Sequence, residues 1–148
     1  MQGLDEIDYQ LIHLLQENAR TPIKHLAEAV FMSPPAVAAR IARLEKNGVI
    51  KGYRPIINLD MFGYNIMAYV NLQLVPGDKA RFVQYIGEMR NVLECHNVTG
   101  DYSMLIKVAF RNTAELDRFI SDLQRFGKTY TQIVFSTAVT PREVRPTP

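Results

Sequence analysis

Residues 33–53 decide the fold of the N-terminal part of the chain and read S-P-P-A-V-A-A-R-I-A-R-L-E-K-N-G-V-I-K-G-Y. Ser33 suits the position before a helix, because its hydroxyl can accept a hydrogen bond from a free N–H group of the first turn. Pro34 follows at the first helical position, where the missing N–H costs nothing. Gly48 can adopt the left-handed conformation that ends many helices. The stretch therefore predicts a helix that runs to Asn47, about 20 Å long at roughly 1.5 Å per residue.

The predicted helix has two different faces. One is an apolar stripe at helical spacing, formed by Val37, Ile41 and Leu44. The other is small near its N-terminal end and basic in its middle, and it carries Ala36, Arg40, Arg43 and Asn47. Alanine side chains allow a close approach, and an arginine can bond to a guanine edge or to a phosphate. A helix of this length and character could enter the major groove of duplex DNA.

A small basic hairpin is predicted after the helix. Val49 to Tyr53 is typical of a short strand that carries Lys51, Arg54-Pro55 of its tip, and Ile56 to Leu59 of a returning strand. Between residues 40 and 54, five basic residues and one acidic residue give a net charge of +4, whereas the whole chain has only +2. A solvated basic surface without a ligand would have the same composition, because charge runs alone are weak evidence of binding.

Two more helices are predicted ahead of this one. Residues 4–20 have an apolar face at helical spacing, with acidic residues in the first turn, where the helix dipole favours negative charge. Thr21-Pro22 begins a shorter helix that reaches about Val30, and residues 31–33 form a tight connection to the third helix. Three helices followed by a hairpin form a winged helix-turn-helix. This order favours nucleic-acid binding more strongly than the charge does.

Composition limits the class of protein. A chain of 148 residues can form one domain or two small ones, and 47% hydrophobic with 22% charged residues is ordinary for a globular protein. It has no run of about 18 apolar residues, so no membrane span is expected. The acidic, amphipathic N-terminus is unlike a secretory signal. The single cysteine, Cys95, excludes an intramolecular disulfide framework and suits a cytoplasmic protein.

The C-terminal half has a different periodicity. Strands are predicted over 64–75, 92–99, 102–110 and 130–139, with the middle two forming an antiparallel hairpin. Helices are predicted after Asp78 and after Asn112-Thr113. The order is β-α-β-β-α-β, a ferredoxin-like unit with helices on one face of the sheet. We therefore predict an α+β protein with a helix-turn-helix domain over 1–58, a linker over 59–63, a ferredoxin-like domain over 64–140 and a loose tail over 141–148.

The predicted sheet indicates a partner subunit. Helices can cover only one of its faces, and an open antiparallel sheet normally presents polar residues on the other. In the first and last predicted strands both faces keep aromatic and aliphatic residues, among them Tyr69, Tyr130 and Phe135. We therefore predict that the uncovered face packs on a second copy of the chain. A two-fold homodimer would also present two recognition helices to a two-fold operator.

Three stretches together resemble a known family. They are L-D-E-I-D-Y-Q-L-I-H-L-L-Q-E-N-A-R at 4–20, the stretch 33–53 quoted above, and V-T-G-D-Y-S-M-L-I-K-V at 98–108. In these residues the chain resembles the Lrp/AsnC family, the feast/famine transcriptional regulators of bacteria and archaea, over about residues 3–140. The resemblance implies a winged helix-turn-helix that binds double-stranded DNA, and a C-terminal domain that responds to amino acids. It also implies a dimer that often assembles further into an octamer.

The resemblance assigns residues to DNA contact. The family pattern falls on Ser33, Pro35, Ala36, Val37, Arg40 and Arg43 in the helix and on Lys51 in the wing. We expect Arg40 to read a base, and Arg43 and Lys51 to contact phosphates. We expect Ser33 both to cap the helix and to touch phosphate, and Val37 to belong to the core.

The resemblance also places an amino-acid effector near one turn. In this chain the turn consists of Thr99, Gly100, Asp101, Tyr102 and Ser103. Backbone N–H groups at a glycine turn can bind a carboxylate, and Asp101 could meet an α-ammonium group. From the residues alone, a hairpin turn without a ligand is the favoured interpretation, and only the resemblance brings a ligand-binding turn level with it. The family commonly has an aspartate where this chain has Ser103, so one plausible effector anchor or structural cap is lost.

Alternative functions are weighed against these residues. The three histidines, His13, His25 and His96, form no catalytic or metal-binding pattern with Cys95, because the neighbours Cys95 and His96 point to opposite faces of a strand. We therefore expect neither an enzyme nor a bound cofactor or metal. A sensing and oligomerisation module with weak or no specific DNA binding stays open, as does RNA binding by aromatic residues on the sheet. A duplex-binding assay distinguishes the sensing and oligomerisation module from a DNA-binding regulator. A protein that is monomeric in solution would favour RNA binding, because the sheet face would then be free.

Overall fold

The computed structural model describes residues 3–147, which divide into two compact units. The first unit comprises the described residues up to Ile56 together with the segment from Thr140, and the second comprises Ile57–Val139. No helix between residues 3 and 147 is long and apolar enough to cross a membrane. Each unit has its own hydrophobic core.

Three helices build the first unit, as predicted: α1 (Glu6–Glu17), α2 (Ile23–Ala29) and α3 (Pro34–Lys46). The apolar residues of the three helices meet in one core, formed by Leu11, Leu26, Ala27, Val30, Val37 and Ile41. The predicted stripe of α3 is confirmed, because Val37, Ile41 and Leu44 are all buried. Val37 is 0% exposed, so it belongs to the core, as expected.

The start of α3 differs from the prediction in one respect. Ser33 has the extended backbone of an N-cap residue, and its carbonyl accepts the Val37 N–H at 3.1 Å. Its hydroxyl, however, makes no capping hydrogen bond, so the predicted side-chain cap is wrong. Pro34 and Pro35 occupy the first two helical positions and have no N–H to donate, which leaves Ala36 as the one capping donor within reach.

The predicted wing hairpin is also wrong. Within the described chain, residues 49–58 contain no β-strand, although the N–H groups of Val49 and Ile50 bond to the Leu44 carbonyl at 2.9 and 3.2 Å. Residues 51–58 have no regular secondary structure and pair with no strand of the described chain, and Ile56 is 98% exposed. A two-stranded hairpin that packs on nothing is marginal in water, and Pro55 removes one ladder donor. The segment 49–56 is called the wing segment below.

Residues 141–147 have no regular secondary structure, and part of this tail lies against α1. Gln16 donates to the Val144 carbonyl at 3.0 Å, and Arg145 forms an ion pair with Glu17 at 2.6 Å. A ring nitrogen of His13 lies 2.8 Å from the Pro146 carbonyl oxygen.

The second unit has the predicted β-α-β-β-α-β order. Its elements are β1 (Ile66–Leu74), α4 (Lys79–Glu88), β2 (Val92–Asn97), β3 (Met104–Phe110), α5 (Thr113–Leu123) and β4 (Gly127–Ile133). All neighbouring strands are antiparallel, in the order β2-β3-β1-β4, and β2 and β3 form the predicted hairpin. Asn112 caps α5 as predicted, since its side chain accepts the Glu115 N–H at 2.9 Å.

One predicted strand is displaced along the chain. We expected the last strand at 130–139, whereas β4 pairs with β1 from Leu74 opposite Gly127 to Ala68 opposite Ile133. Gly127 allows this pairing to begin, because a Cβ there would lie 1.9 Å from the Gln73 carbonyl oxygen. β1 itself begins at Ile66, so little strand remains to pair with residues beyond Ile133.

The helices of the second unit cover one face of the sheet. Buried residues on that face come from β1, β3 and both helices, and include Val70, Leu72, Ile106, Val108, Phe82, Phe119 and Leu123. The other face is mixed. Tyr69 and Asn71 of β1 lie opposite Gln132 and Tyr130 of β4, and Lys107 of β3 forms an ion pair with Glu94. Aromatic residues are present there as predicted, with more polar neighbours than expected, and Phe135 lies beyond the end of β4.

Candidate functional site

Helix α3 is fixed to α1 by a buried acidic residue, Asp8. The Asp8 side chain is 0% exposed, and it accepts hydrogen bonds from Arg40 Nη1 at 2.9 Å and from Arg43 Nη2 at 2.6 Å. Arg40 Nη1 also contacts the Asp5 carboxylate at 2.6 Å. A buried charge is stable only when it is paired and hydrogen-bonded, and these two arginines supply the pairing for Asp8.

Local structure at the start of α1 holds the two carboxylates in place. Asp5 is the N-cap, and its carboxylate accepts the Asp8 N–H at 2.9 Å, while the Asp8 carboxylate accepts the Asp5 N–H at 3.2 Å. This reciprocal arrangement is a capping box, which uses two N–H groups that have no partner within the helix. Asp8 therefore both stabilises the start of α1 and forms ion pairs with the middle of α3.

The ion pairs shift the acid–base properties of two of their members. The hydrogen bond from Arg40, followed by the backbone hydrogen bond of Asp8, lowers the pKa of Asp5 below its ordinary value. Hydrogen bonds to Asp5 and then to Asp8 raise the pKa of Arg40. Both groups therefore carry their full charges at neutral pH, and the four-residue cluster of Asp5, Asp8, Arg40 and Arg43 is close to neutral as a whole.

The structure shows that part of the positive charge between residues 40 and 54 is neutralised within the protein. Arg40 and Arg43 supplied two of the five positive charges between residues 40 and 54, and Asp5 and Asp8 offset both of them. The other three basic side chains, those of Lys46, Lys51 and Arg54, belong to exposed residues. Lys51 lies on the wing segment, and Tyr53 of the same segment donates a hydrogen bond to Glu45 of α3 at 3.0 Å.

The predicted DNA-contact residues differ in accessibility. Ser33, Pro35 and Lys51 are exposed, and Ala36 is half-buried. The Arg40 and Arg43 side chains are 22% and 37% exposed, so both arginines keep part of their surface in solvent. Contact of any of these residues with DNA stays a prediction, and for the arginines the carboxylates of α1 compete with it.

Sequence analysis missed Asp5 and Asp8 as members of this site. A signal was present, because Asp8 falls in the apolar line of α1 that also contains Leu4, Leu11 and Leu15. An acidic residue in such a line is buried only with a partner. The identity of that partner could not be inferred, since Arg40 and Arg43 lie 32 and 35 residues further along the chain.

The predicted effector residues form a surface turn between β2 and β3. The Val98 N–H bonds to the Ser103 carbonyl at 2.9 Å and closes the turn, and Gly100 has a φ of 109°, which favours glycine. Thr99, Gly100 and Asp101 are exposed, whereas Tyr102 and Ser103 are half-buried. The Tyr102 ring lies 6.2 Å from that of Tyr130.

Ser103 has a structural partner in this turn. Its hydroxyl accepts the Leu74 N–H at 3.2 Å, next to the end of β1. The Ser103 side chain therefore provides a hydrogen-bond acceptor for one backbone N–H group next to this turn. A cavity of about 260 Å³ in the same unit is lined by Arg81, Gln84, Tyr85, Glu88, Arg125 and Phe126, and so by residues outside the turn.

The other candidate reactive residues lie apart from these two sites. Cys95 pairs with Ile106 and packs against the core, and burial raises the pKa of its thiol. His96 is exposed, and a ring nitrogen of His96 lies 3.3 Å from the Glu94 carboxylate. Both residues lie on the face of β2 opposite to Cys95, as the alternation of side chains along a strand predicted. Among residues 3–147, no group of three or more histidine, cysteine, aspartate or glutamate side chains is placed to hold a metal ion.

Comparison with known proteins identifies both units. A profile of the AsnC-type helix-turn-helix domain matches residues 4–45, and a profile of the Lrp/AsnC ligand binding domain matches residues 67–144. The chain is 28% identical over 134 residues to the HTH-type transcriptional regulator FL11 of Pyrococcus furiosus, covering 88% of this chain and 89% of FL11.

Solved structures agree with these matches. The structure of Bacillus subtilis LrpC superposes with a TM-score of 0.89 at 26% identity, covering 95% of this chain and all of that one. A feast or famine regulatory protein from Mycobacterium tuberculosis, complexed with L-methionine, superposes with a TM-score of 0.87 at 27% identity, covering 97% of this chain and all of that one.

We predict that Asp8→Asn destabilises the first unit by about 2–3 kcal/mol. Removing one partner of a buried ion pair leaves the others uncompensated, and the figure is reduced here because both arginines are partly exposed. The measurement is urea unfolding of the full chain without DNA. Glu6→Gln is the matched control, because Glu6 is an exposed acid in the same helical turn. Equal stability of the two variants would contradict a structural role for Asp8.

We predict that Asp5→Asn flattens the acid side of the stability–pH curve. The pKa of Asp5 is lower in the folded state than in the unfolded chain, where it is about 3.9. Its contribution is therefore complete well above that value and is lost as the pH falls through the lower, folded-state pKa. Melting temperature measured between roughly pH 2 and 7 tests this. An unchanged acid limb in the variant would show that the Arg40–Asp5 contact adds no stability.

Proposed function

The chain belongs to the Lrp/AsnC family of transcriptional regulators, and on that premise we propose that it binds specific operator DNA through α3 and responds to an amino acid or a related small metabolite. The observation that carries the first part is the division of α3 into two sides. Val37, Ile41 and Leu44 are buried against the other helices, while Ala38 and Ala39 are exposed. Small exposed residues on a firmly packed helix allow close approach to base edges.

Lys51 is the proposed phosphate contact. It is exposed on the wing segment, which is tied to the end of α3 through Val49 and Ile50. Ser33 is exposed at the other end of α3, and its hydroxyl makes no capping bond. Pro35 and Ala36 lie in the first turn of the same helix, which is the part that commonly meets base edges in helix-turn-helix proteins.

Arg40 and Arg43 have a different proposed role from the one expected from sequence. Their bonds to Asp8 position the recognition helix, and only the N–H groups not bonded to Asp5 or Asp8 are available to DNA. A guanidinium has five donors in a fixed fork, so an arginine can hold a carboxylate and still present N–H groups to a phosphate or a base. A base contact by Arg40 would therefore be made from an arginine already fixed within the protein.

We propose that the operator is bound by a homodimer, and that dimers assemble further, as the family resemblance implies. One α3 spans only a half-site, so specific binding by a chain with a net charge of +2 needs more than one copy. The uncovered face of the sheet, with Tyr69 and Tyr130, supports a contact between copies.

The turn at 99–103 is the proposed effector site. Gly100 and the exposed Asp101 offer the groups that an amino acid requires, backbone N–H groups for its carboxylate and a carboxylate for its ammonium. The turn is open in a single chain, which fits a site completed by another copy. The M. tuberculosis neighbour was solved with L-methionine, and its likeness to this chain supports an amino-acid ligand.

One observation favours a second candidate function. Because Asp5 and Asp8 offset two of the basic residues near α3, the chain could be a sensing and oligomerisation module with weak DNA binding. Selection from random duplex DNA separates the two functions. A two-fold motif with half-sites about one helical turn apart, or a multiple of it, is expected for the regulator. Salt-sensitive binding without any enriched motif would establish the alternative.

We predict that Lys51→Ala weakens binding by a similar factor on every duplex. A phosphate contact carries no sequence information, so the plot of log affinity against log salt should become shallower by about 1 if Lys51 neutralises one phosphate. Fluorescence anisotropy over a salt series measures both effects. Lys79→Ala, which removes an exposed lysine from α4, is the control and should bind as the wild type does. A weakening confined to one operator sequence would instead assign Lys51 to base reading.

We predict that Asp101→Asn raises the amino-acid concentration needed for a half-maximal change in operator binding by at least about 10-fold. The reason is that the variant cannot form a charged hydrogen bond with the α-ammonium group. The measurement is operator binding titrated with each amino acid. Asp117→Asn, an exposed acid on α5, is the control. A normal response in Asp101→Asn would remove this residue from the site without affecting DNA binding.

A further inference from the structure

Phe31 breaks two local rules at once. It is the one non-glycine residue with a positive φ in the described chain, at 54°, and its side chain is 96% exposed. A bulky side chain is strained in the left-handed conformation, and a large aromatic ring is seldom left wholly in water. When a strained residue persists, a functional reason is the hypothesis to test.

The backbone requires the left-handed conformation at this position. α2 ends at the C-cap residue Val30, after which the Phe31 N–H bonds to the Glu28 carbonyl at 3.4 Å and the Met32 N–H bonds to the Ala27 carbonyl at 3.0 Å. This pair of bonds is a Schellman motif, whose left-handed residue is usually glycine and sometimes asparagine. Met32, the next residue, packs against the core as the motif commonly requires. Glycine or asparagine would therefore fit position 31 with less strain than phenylalanine.

Four exposed residues that follow Phe31 in the sequence have apolar side chains. Pro34 and Pro35, at the start of α3, are exposed, as are Ala38 and Ala39. The two prolines have no N–H, so this helix end lacks two of the donors with which a helix N-terminus ordinarily binds phosphate. At this end of α3 the Pro34 and Pro35 side chains can make only apolar contacts, next to the free hydroxyl of Ser33.

We propose that Phe31 contacts duplex DNA through apolar carbon atoms, either a thymine 5-methyl group or a deoxyribose. This inference rests on the proposed function, because it takes α3 as the helix that enters the groove. Phe31 lies two residues before the N-cap of α3, and the N-terminal residues of a recognition helix are those that meet base edges. Phenylalanine and alanine are side chains that contact the thymine methyl group. DNA binding therefore accounts for an aromatic ring kept in a strained, solvated position.

The test compares Phe31→Gly, Phe31→Asn and Phe31→Tyr in the full chain. The duplex is the one most enriched by the wild-type protein from random DNA. Glycine and asparagine suit the left-handed conformation, so both variants should melt at or above the wild-type temperature. Their dissociation constants for the duplex should rise about 5- to 100-fold, whereas Phe31→Tyr should stay within about 3-fold of the wild type.

A second arm identifies the contacted atoms. Each thymine of the duplex is replaced in turn by deoxyuridine, which lacks the 5-methyl group. If the wild type loses affinity at one position and Phe31→Gly does not, the ring contacts that methyl group. If Phe31→Gly binds weakly and no thymine matters, the ring contacts deoxyribose. Both results support the proposal.

Four results would overturn the proposal, and the last of them would also overturn the proposed function. Unchanged affinity of Phe31→Gly and Phe31→Asn would leave DNA binding established and remove Phe31 from it. A lower melting temperature of both variants would assign the ring a structural role. A change in oligomeric state by light scattering would assign it to a contact between copies. If the wild type enriches no duplex at all, the proposed function fails together with this inference.

Discussion

The fully buried carboxylate of Asp8 is the constraint on which the geometry of the first unit depends. It completes the capping box of α1 with Asp5 and accepts hydrogen bonds from Arg40 and Arg43 in the middle of α3. Apolar packing of Val37, Ile41 and Leu44 holds α3 against the unit, but apolar contacts are not directional. Hydrogen-bonded ion pairs are directional, so they fix how far α3 is rotated and shifted along its own axis. The exposed side of the helix is defined by that setting.

This arrangement changes where affinity for DNA is expected to originate. The arginines in the middle of α3 use part of their hydrogen-bonding capacity inside the protein, and their charges are offset by Asp5 and Asp8. Lys51 is exposed at one end of the helix region, and Phe31 with the two prolines at the other. The proposed interface is thus a basic end and an apolar end joined by small alanines, a more specific surface than a uniform basic patch.

Periodicity predicted the parts of the structure that local chemistry controls. The stripe of α3, the cap at Asn112 and the β-α-β-β-α-β order all follow from residues close together in sequence, and all are confirmed. The wing hairpin and the bounds of β4 were wrong, because a short strand or hairpin is stable only with a partner to pair with or pack on, which the local sequence does not show. Residues 49–58 have no such partner within residues 3–147, and the register of β4 depends on the contact between Gly127 and Gln73.

The candidate site also depends on contacts between residues that are far apart in the sequence, which local patterns do not show. Helical spacing placed Arg40 and Arg43 on one face of α3, but a charge counted over residues 40–54 does not include carboxylates that lie 32 to 35 residues away in the sequence. The strain at Phe31 is invisible in sequence for a related reason, since only the observed hydrogen bonds of Phe31 and Met32 show that a left-handed residue is required there. Both features emerge when buried charges and backbone conformation are followed residue by residue.

The most direct test of the role given to Asp8 is a structure of the protein bound to its selected operator duplex. We predict that Arg40 and Arg43 keep their hydrogen bonds to Asp8 in the complex, while Phe31 and Lys51 lie against the DNA. Asp8 would then be the residue that holds the recognition helix in both states. If instead both guanidinium groups leave Asp8 and bond to base edges, the ion pairs are a feature of the free protein alone, and the central role of Asp8 is contradicted.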